Sequence, residues 1–304
     1  MTATASGDTG PVAFIGLGMM GRPMAARLVA AGFDVRGVDI SAEARRALAT
    51  AGARVFDNAP LAVAGCDIVV TMLPDGDVVR DVLLGAGGVA AALNERALVV
   101  DMSSSAPMGT RLLGAGLAEK GLALVDAPVS GGVARARDGS LCIMAGGRDA
   151  DVARARPLLD AMGTTVIHAG PLGCGHAAKA LNNYVSAAGL AAACEATLIG
   201  EAFGVDPGTL VDIFNASTGR NNSTEVKLKP HILSGGFASG FAMALMAKDL
   251  HTASDLATEL GMTACGAEQA AALWSAALAD LGQGADHTLI HAFLKKRAQA
   301  RKPV

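Results

Sequence analysis

Through the first half of the chain, short apolar runs alternate with segments of helical length and mixed polarity. The runs are "VAFIG" (12–16), "DVRGVD" (34–39), "DIVVTML" (67–73), "ALVVDMS" (97–103), "ALVDAP" (123–128), "LCIMAGG" (141–147) and "TTVIHAG" (164–170). Strands spaced by helix-length segments predict βαβ units in a mostly parallel sheet. Beyond "AGPLGCGHAAK" the pattern turns helical throughout: a long Ala-rich segment at 175–204, then helical stretches near 207–216, 225–234, 240–260, 263–282 and 286–300. The expected fold is α/β, a mostly parallel sheet domain over 11–170 followed by an all-α domain over 171–304. The polar residues 1–10 are expected to be a flexible N-terminal tail. No repeat period or low-complexity tract appears, which sets solenoid architectures aside.

The first run leads straight into "GLGMMG", where Gly16, Gly18 and Gly21 have the spacing G-x-G-x-x-G. In a chain with 38 glycines that spacing alone is weak; its position between a strand and a helix, with Pro23 in the first turn of that helix, is the context a dinucleotide needs. Gly16 would permit the tight turn, Gly18 the close approach of a pyrophosphate, and Gly21 close packing of helix on strand. The second run ends on Asp39, twenty-three residues after Gly16, where an acid accepts hydrogen bonds from the adenosine ribose. A structural glycine turn followed by an ordinary surface aspartate is the competing reading. The sheet domain is therefore expected to be of the Rossmann type.

Charge and composition narrow the partners. A net charge of −3 with scattered basic residues speaks against nucleic acid or an anionic membrane surface. Five cysteines without a C-x-x-C pair argue against a disulfide framework and a structural zinc, and a reducing cytoplasm is the expected compartment. The start "MTATASGDTG" lacks the order of a secretory signal, and no uninterrupted apolar run of about 18 residues follows. No metal is expected: His287 and His291 stand i, i+4 with no Glu between them as in H-E-x-x-H.

Together, "FIGLGMMGRPMAARL", "DAPVSGGVARARDGSLCIMAGG", "GCGHAAKALNN" and "LMAKDL" resemble the β-hydroxyacid dehydrogenase family over nearly the whole chain, from about residue 11 to 300. Arg27 departs from many relatives, which carry Asn or Ser there, without touching a catalytic position. The resemblance implies a dinucleotide domain, a helical domain and a homo-oligomer, dimer or tetramer. It also implies NAD-dependent, reversible oxidation of a short 3-hydroxy carboxylic acid, 3-hydroxyisobutyrate first, to its semialdehyde. Reductases of tartronate semialdehyde, glyoxylate or succinic semialdehyde are alternatives within the class. A non-catalytic dinucleotide-binding scaffold is the alternative outside it.

The residues have their own chemistry. Lys179, Asn182, Asn183 and Ser186 stand at i, i+3, i+4 and i+7, a polar stripe on an otherwise apolar helix. Apolar surroundings disfavour the ammonium, which suits Lys179 to proton transfer as general acid/base; the other reading is an ammonium that snorkels to solvent or pairs with a carboxylate. The family's G-x-G-x-x-x-K-x-x-x-N pattern matches from Gly173 through Lys179 to Asn183 and implies the catalytic role. Ser130, Gly131 and Gly132 offer a hydroxyl and closely spaced N–H groups to a carboxylate, though Ser-Gly-Gly is also a common turn; the resemblance implies substrate binding here and at Asn183. Ligands of open parallel sheets lie beyond the strands' carboxyl ends, where Met72, Leu73 and Pro74 could pack on the cofactor. By resemblance Ser104 lies near the nicotinamide end, and Phe241 and Lys248 close over the cofactor, joining Gly16, Leu17, Gly18, Met19, Met20, Gly21 and Asp39. Ser104 and Ser105 are equally candidates to cap the helix begun by Pro107. Met19, Met20 and Met24 read most simply as core and adenine-side packing. Asp249 reads as a structural partner, and Arg220, Asn221 and Asn222 as residues bordering the pocket. NADP is disfavoured, because Asp39 puts negative charge where a 2′-phosphate would sit; Arg36 should point to the other face of its strand, and Arg45 is the residue that would weaken this expectation.

Overall fold

The structure, a computed structural model, describes residues 10–300; apart from Gly10, the expected N-terminal tail lies outside the described residues. Two compact units part after Lys179. The first is built on β1 (Val12–Ile15), β2 (Val35–Val38), β3 (Arg54–Phe56), β4 (Ile68–Thr71), β5 (Leu98–Asp101), β6 (Ala123–Asp126), β7 (Val129–Ser130), β8 (Leu141–Gly146) and β9 (Gly163–Gly170). Strands β3-β2-β1-β4-β5-β6 run parallel in that spatial order; β8 is antiparallel to β6 and β7, and β9 is parallel to β8. Seven helices accompany the sheet: α1 (Gly21–Ala30), α2 (Ala42–Ala49), α3 (Ala59–Val63), α4 (Gly76–Leu84), α5 (Pro107–Ala118), α6 (Gly132–Asp138) and α7 (Asp149–Met162).

The strands are apolar almost throughout because both sheet faces are covered. Val12, Phe14, Val70, Leu98 and Val100 belong to one core, and Ala13, Ile15, Val69 and Val99 to the other. Alternate residues thus enter opposite layers, and both sets are apolar until the carboxyl ends of the strands. The sheet is mostly parallel, as the run spacing predicts. Strands β3 and β7 are absent from that pattern: they have three and two residues, and β3, at the sheet edge, has an exposed first residue.

The second unit is helical, as expected. Helix α8 (Cys174–Phe203) begins in the first unit and continues into the second, followed by α9 (Pro207–Ala216), α10 (Asn222–Val226), α11 (Met243–Glu259), α12 (Cys265–Leu281) and α13 (Ile290–Ala300). Their common core gathers Ala187, Leu190 and Cys194 of α8 with Met243, Met246, Leu250, Trp274 and Phe293. By length and composition α8 could cross a membrane; Ala187, Leu190 and Cys194 on it belong to this core, while Leu181, Val185, Ile199 and Phe203 are exposed.

Candidate active site

The first turn of the sheet is shaped by its glycines. Gly16 has φ +99°, and a Cβ there would collide with the Met72 carbonyl. A Cβ on Gly21 would overlap the Gly16 carbonyl oxygen and lie 3.2 Å from Phe14 Cε1. Gly18 differs: a Cβ there meets no atom within 4 Å. Helix α1 starts behind this turn with neither a side-chain cap nor an acidic residue in its first turn, so its N–H groups and dipole suit an anion. Open space over Gly18 and an uncapped helix end fit a dinucleotide's pyrophosphate.

Asp39 closes the turn from β2. Its carboxylate accepts from Leu17 N at 2.6 Å and Ser41 N at 2.7 Å, so it clamps the glycine loop as well as presenting an acid there; each oxygen keeps a further lone pair for a ribose hydroxyl. Arg36 points away, donating to the Ala62 and Ala64 carbonyls at 3.2 and 2.7 Å. Arg45 does lie beside the acid, donating to the carbonyls of Asp39 and Ile40. Met24 is buried and Met20 half-buried against the core, but Met19 is 73% exposed and takes no part in core packing. Leu17 is buried.

The carboxyl ends of β4, β5 and β6 carry a buried polar network. Met72 N donates to the Ile15 carbonyl and Leu73 N to Ser103 Oγ at 2.9 Å; Met72 and Leu73 are half-buried and Pro74 exposed. Asp101 accepts from Thr71 Oγ1 (2.9 Å), Ser103 N (3.0 Å) and Ser105 Oγ (3.0 Å). Ser103 and Ser105 are thus buried framework residues, and Ser104, half-buried, is the serine of the three with exposed surface. Ser105 gives its hydroxyl to Asp101, and the N-cap position of α5 is Ala106, without a side-chain bond; Pro107 supplies the fixed φ of the first turn.

Asp126, at the end of β6, starts the lysine helix. Its fully buried carboxylate accepts from Gly173 N at 2.8 Å and His176 N at 2.7 Å, a cap supplied from another element. The glycines of "GCGH" are dictated by this approach. Gly173 has φ +88°, and a Cβ on Gly175 would stand 2.8 Å from both the carbonyl oxygen and Oδ2 of Asp126. Lys179, half-buried, follows one turn later. The units part after Lys179 rather than at residue 170 because this first turn is bonded to the sheet.

Ser130 ends β7, paired with Cys142. Gly131 and Gly132 have φ +133° and +69°; a Cβ on Gly131 would strike the Arg135 side chain, while Gly132 faces open space. The segment is a glycine-dependent turn, with Arg135 packed against Gly131 and open space at Gly132. Arg27 lies against Gly139, past the end of α6.

In the second unit Asn183 is buried and its amide is engaged: Nδ2 donates to Asp249 Oδ2 at 2.5 Å, and Oδ1 accepts from Asn182 Nδ2 at 3.2 Å. Asp249, itself buried, is the structural partner expected, and Lys248 Nζ lies 3.9 Å from its Oδ1. Phe241 packs edge-on against the His287 ring at 5.5 Å. The remaining stripe residue, Ser186, is 3.4 Å from Lys227 Nζ, a lysine whose pKa is lowered chiefly by burial, against the raising effect of Asp286. Sequence reasoning missed Lys227, because nothing in "STEVK" marks its side chain as turned inward. Asn221 is not a pocket amide: it caps α10 in a reciprocal capping box with Thr224, while Arg220 is 3.5 Å from Glu225 Oε1 and Asn222 is exposed. The five cysteines are free, and among the described residues no group of three His, Cys, Asp or Glu is arranged to hold a metal. A groove of about 960 Å³ on the first unit, bordered by Gly114, Leu124, Arg148 and Leu172, contains none of the candidate residues.

With this geometry in view, comparisons with known proteins agree across the chain. Residues 11–170 match the family described as the NAD binding domain of 6-phosphogluconate dehydrogenase, and 173–294 that described as the NAD-binding part of NADP-dependent 3-hydroxyisobutyrate dehydrogenase. Among curated relatives, 2-(hydroxymethyl)glutarate dehydrogenase of Eubacterium barkeri is 39% identical, over 82% of this chain and 82% of its own. An NAD-dependent L-serine dehydrogenase of Pseudomonas aeruginosa is 40% identical, over 81% and 85%. The solved structure of Mycobacterium tuberculosis 3-hydroxyisobutyrate dehydrogenase with L-serine superposes with a TM-score of 0.88 at 37% identity, covering 95% of this chain and all of that one. The chain belongs to the β-hydroxyacid dehydrogenase family, NAD(P)-dependent oxidoreductases that act on a CH–OH group.

Proposed function

We propose that the protein oxidises a short 3-hydroxy carboxylic acid to its semialdehyde with NAD, reversibly, using Lys179 as general acid/base. The observation that carries this reading is the anchoring of the lysine helix: Asp126, at the carboxyl end of a sheet strand, holds the first turn of α8. Lys179 is thereby tied to the sheet that also presents the glycine turn. Bound NAD would accept a hydride from the hydroxyl-bearing carbon. The chain's own contribution is to hold the dinucleotide at Gly16, Gly18, Gly21 and Asp39, with Met72, Leu73 and Ser104 toward its other end. Lys179 Nζ, as the free amine, takes the hydroxyl proton in oxidation; as the ammonium it returns that proton to the developing alkoxide in reduction. Ser130 Oγ and the N–H groups of Gly131 and Gly132 hold the substrate carboxylate. Asn183, with one amide hydrogen on Asp249, has a second hydrogen for the substrate.

3-Hydroxyisobutyrate is the first substrate, on the full-length similarity to the mycobacterial dehydrogenase. L-Serine is the second reading, favoured by its presence in that protein's structure and by the similar serine dehydrogenase. Both carry a hydroxyl on the carbon β to a carboxylate. The test compares kcat/KM for 3-hydroxyisobutyrate, its methyl ester, glycerate and L-serine with NAD, for the wild type and Lys179→Ala. A loss of about 10²-fold or more in kcat for the variant, with NADH binding retained, is expected. Near-normal turnover by Lys179→Ala would reject the proton-transfer role, and equal rates on acid and ester would reject the carboxylate cradle.

A further inference from the structure

His176 has no part in the chemistry above, yet it occupies the junction of four elements. Its ring is buried. Nδ1 lies 2.8 Å from Thr110 Oγ1 of α5, and Nε2 lies 3.1 Å from the carbonyl oxygen of Ser103, in the loop after β5. Two buried carboxylates flank the ring: Asp101 Oδ2 is 3.8 Å from Nε2 and Asp126 Oδ2 is 3.7 Å from Nδ1. A carbonyl only accepts, so Nε2 carries a hydrogen and donates to Ser103. Thr110 can meet Nδ1 as donor or acceptor. The backbone N–H of the same residue is already given to Asp126.

Asp126 takes the N–H groups of Gly173 and His176 and the Pro171 carbonyl takes that of Cys174, so these N–H groups at the start of α8 are bonded without the ring. The ring adds something separate: a fixed link from the first turn of α8 to the loop that carries Ser104, and to α5. Lys179 stands three residues further along, near the same side of the helix. A hydrogen-bonding ring between two carboxylates is costly to bury unless its bonds are made, so the position is not an apolar filler.

We propose that His176 is a positioning residue for Lys179. By bonding Ser103 and Thr110 it locks the first turn of the lysine helix to the loop after β5 and sets the height of the lysine amine above the strand ends. The inference rests on the proton-transfer role of Lys179. A displacement of about 1 Å at a reacting group costs up to about 10²-fold in rate, which sets the scale of the effect.

The test uses full-length His176→Gln, His176→Asn and His176→Leu beside Lys179→Ala, with NAD and 3-hydroxyisobutyrate or L-serine. Gln can place an amide N–H near the position of Nε2, and Asn can place one near Nδ1 only. For Leu and Asn, kcat is expected to fall about tenfold or more, with NADH Kd within about twofold of wild type. Gln is expected to recover kcat to within about threefold. Backbone amide exchange over residues 177–183 should quicken in the Leu and Asn proteins and stay at wild-type rates with Gln, a readout that needs no turnover. If Leu fails to fold, the contrast between Gln and Asn decides. Wild-type kcat and exchange in the Asn protein, or a Gln protein as impaired as Asn, would overturn the proposal. An active Lys179→Ala protein would overturn the lysine reading instead. An inactive Lys179→Ala beside a normal His176→Asn would sink the His176 proposal alone.

Discussion

Alanine at Gly18 and alanine at Gly21 should fail in opposite ways. At Gly21 the new methyl would overlap the Gly16 carbonyl oxygen, with the Gly16 carbonyl carbon at 3.0 Å and the Phe14 ring at 3.2 Å. The obstacle is backbone, which no rotamer change can clear, so either the glycine turn or the start of α1 must move. Overpacking of this kind costs about 1–3 kcal/mol, and the backbone contact places Gly21→Ala at the upper end, roughly 3 kcal/mol. At about 2–4 °C per kcal/mol for a domain of this size, the apparent Tm should drop by roughly 6–12 °C. At Gly18 the methyl meets no protein atom within 4 Å and the residue does not have a positive φ. Removing a glycine from the unfolded ensemble then leaves stability unchanged or raises it by up to about 1 kcal/mol.

The two variants separate packing from ligand contact. If Gly18 is open because a pyrophosphate lies over it, its alanine variant should keep its Tm without ligand and lose at least about tenfold in NADH affinity, roughly 1.4 kcal/mol. Thermal unfolding followed by circular dichroism gives the first quantity, and NADH fluorescence titration the second. A Gly18→Ala protein binding NADH within twofold of wild type would refute the placement of the phosphates. A Gly21→Ala protein melting within about 2 °C of wild type would refute the packing argument.

Asp39→Ala should lower the ratio of kcat/KM for NAD over NADP by about tenfold or more, since it removes the charge opposed to a 2′-phosphate and leaves Arg45 beside the site; a wild type that prefers NADP by steady-state kinetics would contradict this. Asn183→Leu should destabilise by about 2 kcal/mol in urea unfolding, the worth of a hydrogen bond to a buried charged group, and an unchanged midpoint would show the bond to Asp249 to be dispensable. His287 has its pKa lowered from 6.5 to about 4, first by burial and then by the Lys227 cation, against Asp286. The unfolded chain therefore binds a proton below pH 6.5 that the folded chain refuses until about pH 4, so stability falls as pH falls through that window, by up to about 3 kcal/mol. His287→Gln should remove that share of the slope in urea unfolding between pH 6.5 and 4, and an unaltered slope would refute the assignment.

The features legible in the sequence are those whose cause is local. A strand covered on both faces is apolar along its length except where a polar end residue is hydrogen-bonded, and Val12–Ile15 and residues 68–70 and 98–100 stand out for that reason. The glycine turn is legible because backbone geometry at Gly16 excludes other residues within a few positions of sequence. β3 and β7 carry too few residues for any period to show. "MM" at 19–20 reads as one apolar feature, but the turn sends Met19 to solvent while Met20 packs on the core; only the path of the loop decides which.

The polar partners are a different matter, since their cause lies far along the chain. Asp126 caps a helix that begins 47 residues from it, counting to Gly173; in sequence it is the aspartate of "DAPVSGG", beside a segment that draws attention to itself. Asn183 reads as a substrate ligand on the helix stripe, and nothing near it in sequence shows that Asp249, 66 residues on, takes one of its amide hydrogens. Asn221 reads as a pocket amide until its short helix forms and consumes it as a cap. In each case residue type and spacing identify a group capable of hydrogen bonding, and only the tertiary fold settles what it bonds. A polar side chain next to a motif is therefore a better guide to where the chain is held than to what it holds. His176, between "GCG" and Lys179, is the instance in which those two questions meet, because holding that turn of helix and placing that amine are one mechanical constraint.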